Sequence, residues 1–152
     1  MKHLSILALA VLLGCGGSNN NVVPPENLVA GTWRFTYTNL TGSIQGLGVS
    51  CAPVSFDFSI TQGLFDFSGV QVGTGTVTCS TNAAPIVNQA ITGETIVQGK
   101  IDGRSIRFAF GTMGGLQTGI VGQTTITGTA QWVLVANSVT LILNGQFTAT
   151  RL

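Results

Sequence analysis

The stretch "AGTWRFTYT", Ala30 to Thr38, decides how the rest of the chain is read. Trp33, Phe35 and Tyr37 take alternate positions, and Thr32, Arg34, Thr36 and Thr38 fill the places between them. A period of two marks a strand with one dry face and one wet face. The same alternation returns downstream, where Val54, Phe56, Phe58 and Ile60 are set against Ser55, Asp57, Ser59 and Thr61. No long stretch carries apolar residues at helical spacing, and glycine, threonine and β-branched residues are abundant. Thr-Gly pairs recur, but at irregular intervals, so they mark strand-and-turn composition and not a tandem repeat.

Two hairpins follow from counting outward from a turn. Asp102-Gly103 is a favoured two-residue loop; it predicts Ile101 opposite Arg104, Gly99 opposite Ile106 and Val97 opposite Phe108, with Gln98 facing Arg107 on the wet side. A turn at Asn137-Ser138 predicts Ala136 opposite Val139, Leu134 opposite Leu141, Trp132 opposite Leu143 and Gly128 opposite Phe147. A two-residue slip preserves these faces. The glycine facing Phe147 leaves room for the ring or marks a bend where a barrel turns a corner. Residues 80–92 read as the longest loop, with Pro85, Ile86 and Val87 as apolar contacts. The whole is an all-β, single-domain, up-and-down antiparallel meander of about eight strands. It forms either a closed β-barrel or a β-sandwich.

The first residues read as an address. Met1-Lys2-His3 is a short basic segment, and "LSILALAVLL", Leu4 to Leu13, is an apolar run too short to span a bilayer but suited to a signal peptide. The run ends in "LLGC", which resembles the lipobox of bacterial lipoproteins. That resemblance implies cleavage after residue 14, lipidation of Cys15 and stable anchoring by several acyl chains. Gly16, and not Asp, follows the cysteine, which in that family implies the bacterial outer membrane. Residues 15–28, rich in Gly, Ser, Asn and Pro, are then a tether, and 29–152 the barrel domain.

Losing the leader removes Lys2 and leaves Arg34, Lys100, Arg104, Arg107 and Arg151 against Glu26, Asp57, Asp66, Glu94 and Asp102. A formal charge near zero argues against a nucleic-acid partner and against an electrostatic grip on anionic lipid. The lone histidine, His3, goes with the leader. Cys51 and Cys79 are expected to form a disulfide outside the cytoplasm. They flank residue 65 symmetrically, so the bridge staples the open end of a hairpin and contributes ~3 kcal/mol through loop entropy.

No metal site, cofactor or enzymatic activity is expected. Histidine is missing for acid–base work, and no serine lies in an activating motif. Asp57 and Asp66 are candidate paired carboxylates that read better as solvated strand residues. "GTMGG", Gly111 to Gly115, lacks the lysine and helix of a phosphate cradle.

"NLVAGTWRF", Asn27 to Phe35, resembles the first motif of the lipocalins and their calycin relatives, in which Gly-x-Trp opens strand one after a short helical turn and the tryptophan plugs one end of the barrel. An arginine near the end of the last strand packs across that tryptophan in the family, and this chain ends "FTATRL" with Arg151. The resemblance implies barrel closure with Trp33 beside Arg151. It also implies an interior lined by Phe35, Tyr37, Phe56, Phe58, Phe108, Phe110, Trp132 and Phe147. Those rings either fill the core or line a pocket for a small apolar ligand; with a filled core, the alternative is an envelope protein-interaction or inhibitor module.

Overall fold

A computed structural model describes residues 28–82, 84–136 and 139–152. The leader, Cys15, nearly all of the tether and the tip of the last hairpin lie outside these residues. Eleven strands follow one another: β1 (Gly31–Ile44), β2 (Leu47–Cys51), β3 (Val54–Gln62), β4 (Asp66–Val72), β5 (Thr74–Ser80), β6 (Pro85–Thr92), β7 (Thr95–Asp102), β8 (Ser105–Phe110), β9 (Leu116–Val121), β10 (Thr125–Ala136) and β11 (Val139–Arg151). No helix occurs among the described residues, so the short helical turn expected before strand one is replaced by a bend at residues 28–29.

Eight strands close a ring in the order β1-β3-β4-β7-β8-β9-β10-β11, and β11 returns to pair with β1. The sandwich alternative is thereby excluded. The remaining strands extend the sheet outside the ring as β1-β2-β5-β6. They are continuations of ring strands past a bend. Gly73 alone separates β4 from β5, and Gly93-Glu94 separates β6 from β7. Both glycines are left-handed, with φ of 81° and 66°, a backbone turn that costs glycine little. In β1 the bend is a bulge: Asn39 takes φ 54°, and the register against β11 shifts between Thr38 and Thr41. Below the bulge β1 pairs with β3, and above it with β2. The eight-stranded meander is therefore intact, with four of its arms bent outward at one end.

Inward and outward faces follow the alternation. Trp33, Phe35 and Tyr37 are buried, as are Val54, Phe56, Phe58 and Ile60. The last hairpin has the expected register, from Ala136↔Val139 to Gly128↔Phe147. The β7–β8 hairpin does not. Ile101 pairs with Ile106 and Lys100 with Arg107, and beyond a bulge at Gln98 (φ 53°) Val97 pairs with Ala109. Asp102 pairs with Ser105, so the loop residues are Gly103 and Arg104. Gly103 takes positive φ (56°) and Arg104 does not, the pattern of a type II′ turn with glycine at its first central position. The predicted loop at 80–92 is also corrected: Pro85–Thr92 forms β6. Its proline heads the strand, where no ladder donor is required, and β5 supplies a template along one edge.

Closure is sealed at one end by the first and last residues of the sheet. Trp33 and Arg151 are register partners, and the guanidinium carbon lies 4.7 Å from the ring centroid. Arg151 also donates to the carbonyls of Leu28 and Ala30, at 2.8 and 3.1 Å. The indole Nε1 donates to the Val29 carbonyl at 2.9 Å. At the other end, Cys51 and Cys79 are cross-strand partners on β2 and β5, joined by the expected disulfide.

Arg151→Ala is expected to lower stability by about 1–2 kcal/mol, since it removes a partly exposed cation–π contact and the donor to two carbonyls. Trp33→Ala should cost more, about 3–5 kcal/mol, because it empties a buried ring site. Urea unfolding of both variants checks this; an Arg151→Ala protein as stable as the parent would show that Arg151 does not seal the barrel.

Candidate functional site

The ring strands send Phe35, Tyr37, Phe56, Phe58, Phe108, Phe110, Trp132 and Phe147 into the barrel interior. Each of these side chains is at most 2% exposed. They pack on one another. Tyr37 and Trp132 are 4.7 Å apart between centroids, Phe35 and Phe147 5.5 Å, and Phe35 and Phe108 5.9 Å. Phe58 and Phe110 stack 5.5 Å apart at an interplanar angle of 14°. Phe56 joins the set through Tyr37 and Trp132. Tilted, edge and offset contacts of this kind are the favoured aromatic geometries. None of the eight rings lines any of the three best-formed recesses among the described residues.

Three polar atoms inside this shell have no hydrogen-bond partner among the described residues: Tyr37 Oη, Trp132 Nε1 and Gln117 Oε1. Gln117 is itself fully buried, and its Nε2 donates to the Gln131 carbonyl at 3.0 Å. Burial raises the pKa of the Tyr37 phenol well above 10, and the negative charge of Glu94 adds to the shift. Glu94 is the one buried charge among the described residues, 1% exposed at the bend between β6 and β7. Its Oε1 accepts from the backbone N–H of Thr95 and Thr112, both at 2.8 Å, and its Oε2 from Met113 N–H at 3.0 Å. The carboxylate thus clamps the 111–115 loop. Gly115 in that loop has φ 78°, and a Cβ there would meet the Gln131 carbonyl oxygen at 1.9 Å. Gly115, and Gly114 with φ 65°, are accordingly backbone requirements of "GTMGG". The mouth beside this clamp is a recess of about 240 Å³ bordered by Ile91, Glu94, Met113 and Leu134.

Sequence reasoning misses Glu94 and Gln117. Parity was the available signal for Gln117, since it shares a face with Gly119 and Val121 on β9. No periodic signal marks Glu94, which lies between two strands.

The two candidate carboxylates are not brought together. Asp57 pairs with Val72 at one end of the β3–β4 ladder, and Asp66 lies past its other end at Gln62↔Phe67. Asp57 is engaged by Arg34, its cross-strand partner, through two bonds of 2.8 and 2.9 Å. The hydrogen bond to Arg34 holds the Asp57 carboxyl below the usual aspartate range. The Trp33–Arg151 pair and the Cys51–Cys79 bridge are formed as expected, and Cys15 lies outside the described residues.

No protein family, curated protein or solved structure compared with the chain matches it.

The chain has one tyrosine, which makes its titration readable. In the unfolded chain a tyrosine loses its proton near pH 10, while folded Tyr37 keeps it to higher pH. The raised folded pKa therefore contributes stability that is complete below pH ~10 and is lost as pH climbs toward the folded value. Tyrosinate absorbance should appear only together with alkaline unfolding, and a band at pH ~10 in the folded protein would contradict the burial. Tyr37→Phe should flatten the alkaline loss and raise stability by about 1 kcal/mol at neutral pH, because it deletes an unpartnered buried hydroxyl. Glu94→Gln replaces one acceptor oxygen with a donor facing N–H groups and should cost about 1–3 kcal/mol. Hydrogen exchange at Thr112 and Met113 checks this second variant, with faster exchange expected at both amides.

Proposed function

We propose that this chain is a lipid-anchored module of the bacterial outer membrane that works by binding another protein at its surface, its barrel acting as a rigid stand. The observation that carries this reading is the packed interior: eight inward rings lie at one another's contact distance, and none of them lines the three best-formed recesses. Tyr37 Oη, Trp132 Nε1 and Gln117 Oε1 are already unpartnered inside the barrel and would gain no hydrogen bond from an apolar guest. The lipobox-like "LLGC" supports anchoring through Cys15.

A surface for a partner is offered by β6. It ends the strand order and pairs only with β5, so one edge of its backbone is unpaired among the described residues. No charged residue lies between Ser80 and Thr92 to discourage pairing there. An extended segment of another protein adding to that edge would use main-chain hydrogen bonds for affinity.

The experiment places a photo-reactive side chain at Asn88 on β6 and, as a control, at Thr148 on β11, in cells producing the full chain. A discrete protein adduct is expected at Asn88 alone, lost when Ala90→Pro removes an edge donor. Cys15→Ser should abolish incorporation of labelled palmitate. Long-chain alcohols, which are uncharged, should leave tryptophan fluorescence and melting temperature unchanged. Saturable quenching by such alcohols would return the chain to the carrier reading, and adducts independent of position would remove β6 as the contact.

A further inference from the structure

The largest of the three recesses, about 800 Å³, lies outside the barrel across β7, β8, β9 and β10. It originates in a pair of glycines. Gly119 and Gly128 are cross-strand partners at inward positions, directly over the Phe147 ring. A Cβ on Gly128 would come within 2.6 Å of that ring and one on Gly119 within 3.1 Å. With no side chain between backbone and ring, the sheet closes on Phe147, and both glycines form part of the floor of the outer groove.

The walls of the groove are amphiphilic. Lys100 and Arg107 face each other as a register pair of β7 and β8, both exposed, and neither joins an ion pair or hydrogen bond among the described residues. Like charges directly opposite one another destabilise a sheet, so this pair is an unfilled demand for an anion. Two carboxylates stand beside the pair, Asp102 in the lining and Asp66 opposite Lys100 on β4, and neither is within ion-pair distance of Lys100 or Arg107. Ile120 and Phe65, 55% and 50% exposed, supply apolar contact in the same groove.

The geometry points to a binding site for an anionic single-chain amphiphile, its phosphate or carboxylate head between Lys100 and Arg107 and its alkyl chain along Gly119 and Gly128 against Ile120 and Phe65. The site is separate from the barrel interior and from β6, and it does not depend on the anchor. Each cation donates to a head oxygen with charge assistance, and the chain covers apolar surface that water otherwise meets.

The test uses the full chain, isotopically labelled, in neutral maltoside micelles, with dodecyl phosphate as the probe. Saturable amide shifts are expected at Gly119, Ile120 and Thr129. In the double variant Lys100→Gln, Arg107→Gln the affinity should fall at least tenfold while the remaining spectrum is unchanged. Dodecanol should give no shifts at these residues. Ile120→Asn, which keeps both cations, should weaken dodecyl phosphate severalfold and leave inorganic phosphate unaffected. Inorganic phosphate binding as tightly as dodecyl phosphate would mean a free-anion site and overturn the amphiphile assignment. Shifts spread over the whole barrel, an affinity unchanged in the double variant, or no shifts at all would overturn the site itself.

Discussion

Everything else in this molecule depends on the pairing of β1 with β11. A single antiparallel sheet of half-buried strands has an apolar face and two raw edges, and neither is tolerable in water. Bringing Trp33 opposite Arg151 removes both problems in the ring: the edges pair with each other, and the apolar face becomes an interior. The contacts at the seam span the whole domain in sequence. Arg151 reaches the carbonyls of Leu28 and Ala30, while its guanidinium covers the indole. A loss at the seam is therefore felt by every inward side chain.

Once closed, an eight-stranded ring has room for side chains and little more. This chain fills it by setting large against small. Phe147 faces Gly128 across β10–β11, and Phe67 faces Gly99 across β4–β7. Phe56 presses on Gly75 from the neighbouring arm, where a Cβ would lie 2.4 Å from its ring. Each ring takes the volume that its partner gives up, which allows eight aromatics to pack in contact in so short a chain. The same exchange shapes the exterior, because the sheet approaches the rings most closely where glycines meet. Interior packing and the outer groove are thus two sides of one constraint.

Alternation made much of this legible. The faces of β1, β3, β10 and β11 follow from parity, and the β10–β11 register runs without a shift from Thr125↔Thr150 to Ala136↔Val139. The end-to-end meeting of Trp33 and Arg151 follows from an even strand count. Bulges are what parity cannot see. The extra residue at Gln98 and the turn at Gly103-Arg104 move the β7–β8 register away from the one that Asp102-Gly103 predicts, and composition gives no sign of either. Residues 80–92 look like a loop because Pro, Asn and Ala dilute the pattern; a strand forms there since an edge position asks for order on one side only. Of the interior, the eight rings are readable by their spacing, but Glu94 is not, since its role is set by the return of the 111–115 loop from a distant part of the chain.

Charge shows most clearly how the fold adds to the sequence. A formal charge near zero suggests a surface indifferent to anions, and that inference assumes the charges mix. They do not. Asp57 is held by Arg34 on the outer face of β1 and β3, and Glu94 is withdrawn into the barrel mouth, where backbone N–H groups satisfy it. Two of the acidic groups that balance the sum are therefore withdrawn from Lys100 and Arg107, and the two that remain nearby, Asp66 opposite Lys100 and Asp102 in the groove, form no ion pair with them. Those cations are placed face to face by the turn at Gly103-Arg104, from which the register runs unbroken to Lys100↔Arg107. The register of a single hairpin thus sets two unpaired cations face to face, and net charge cannot report it because net charge has no geometry.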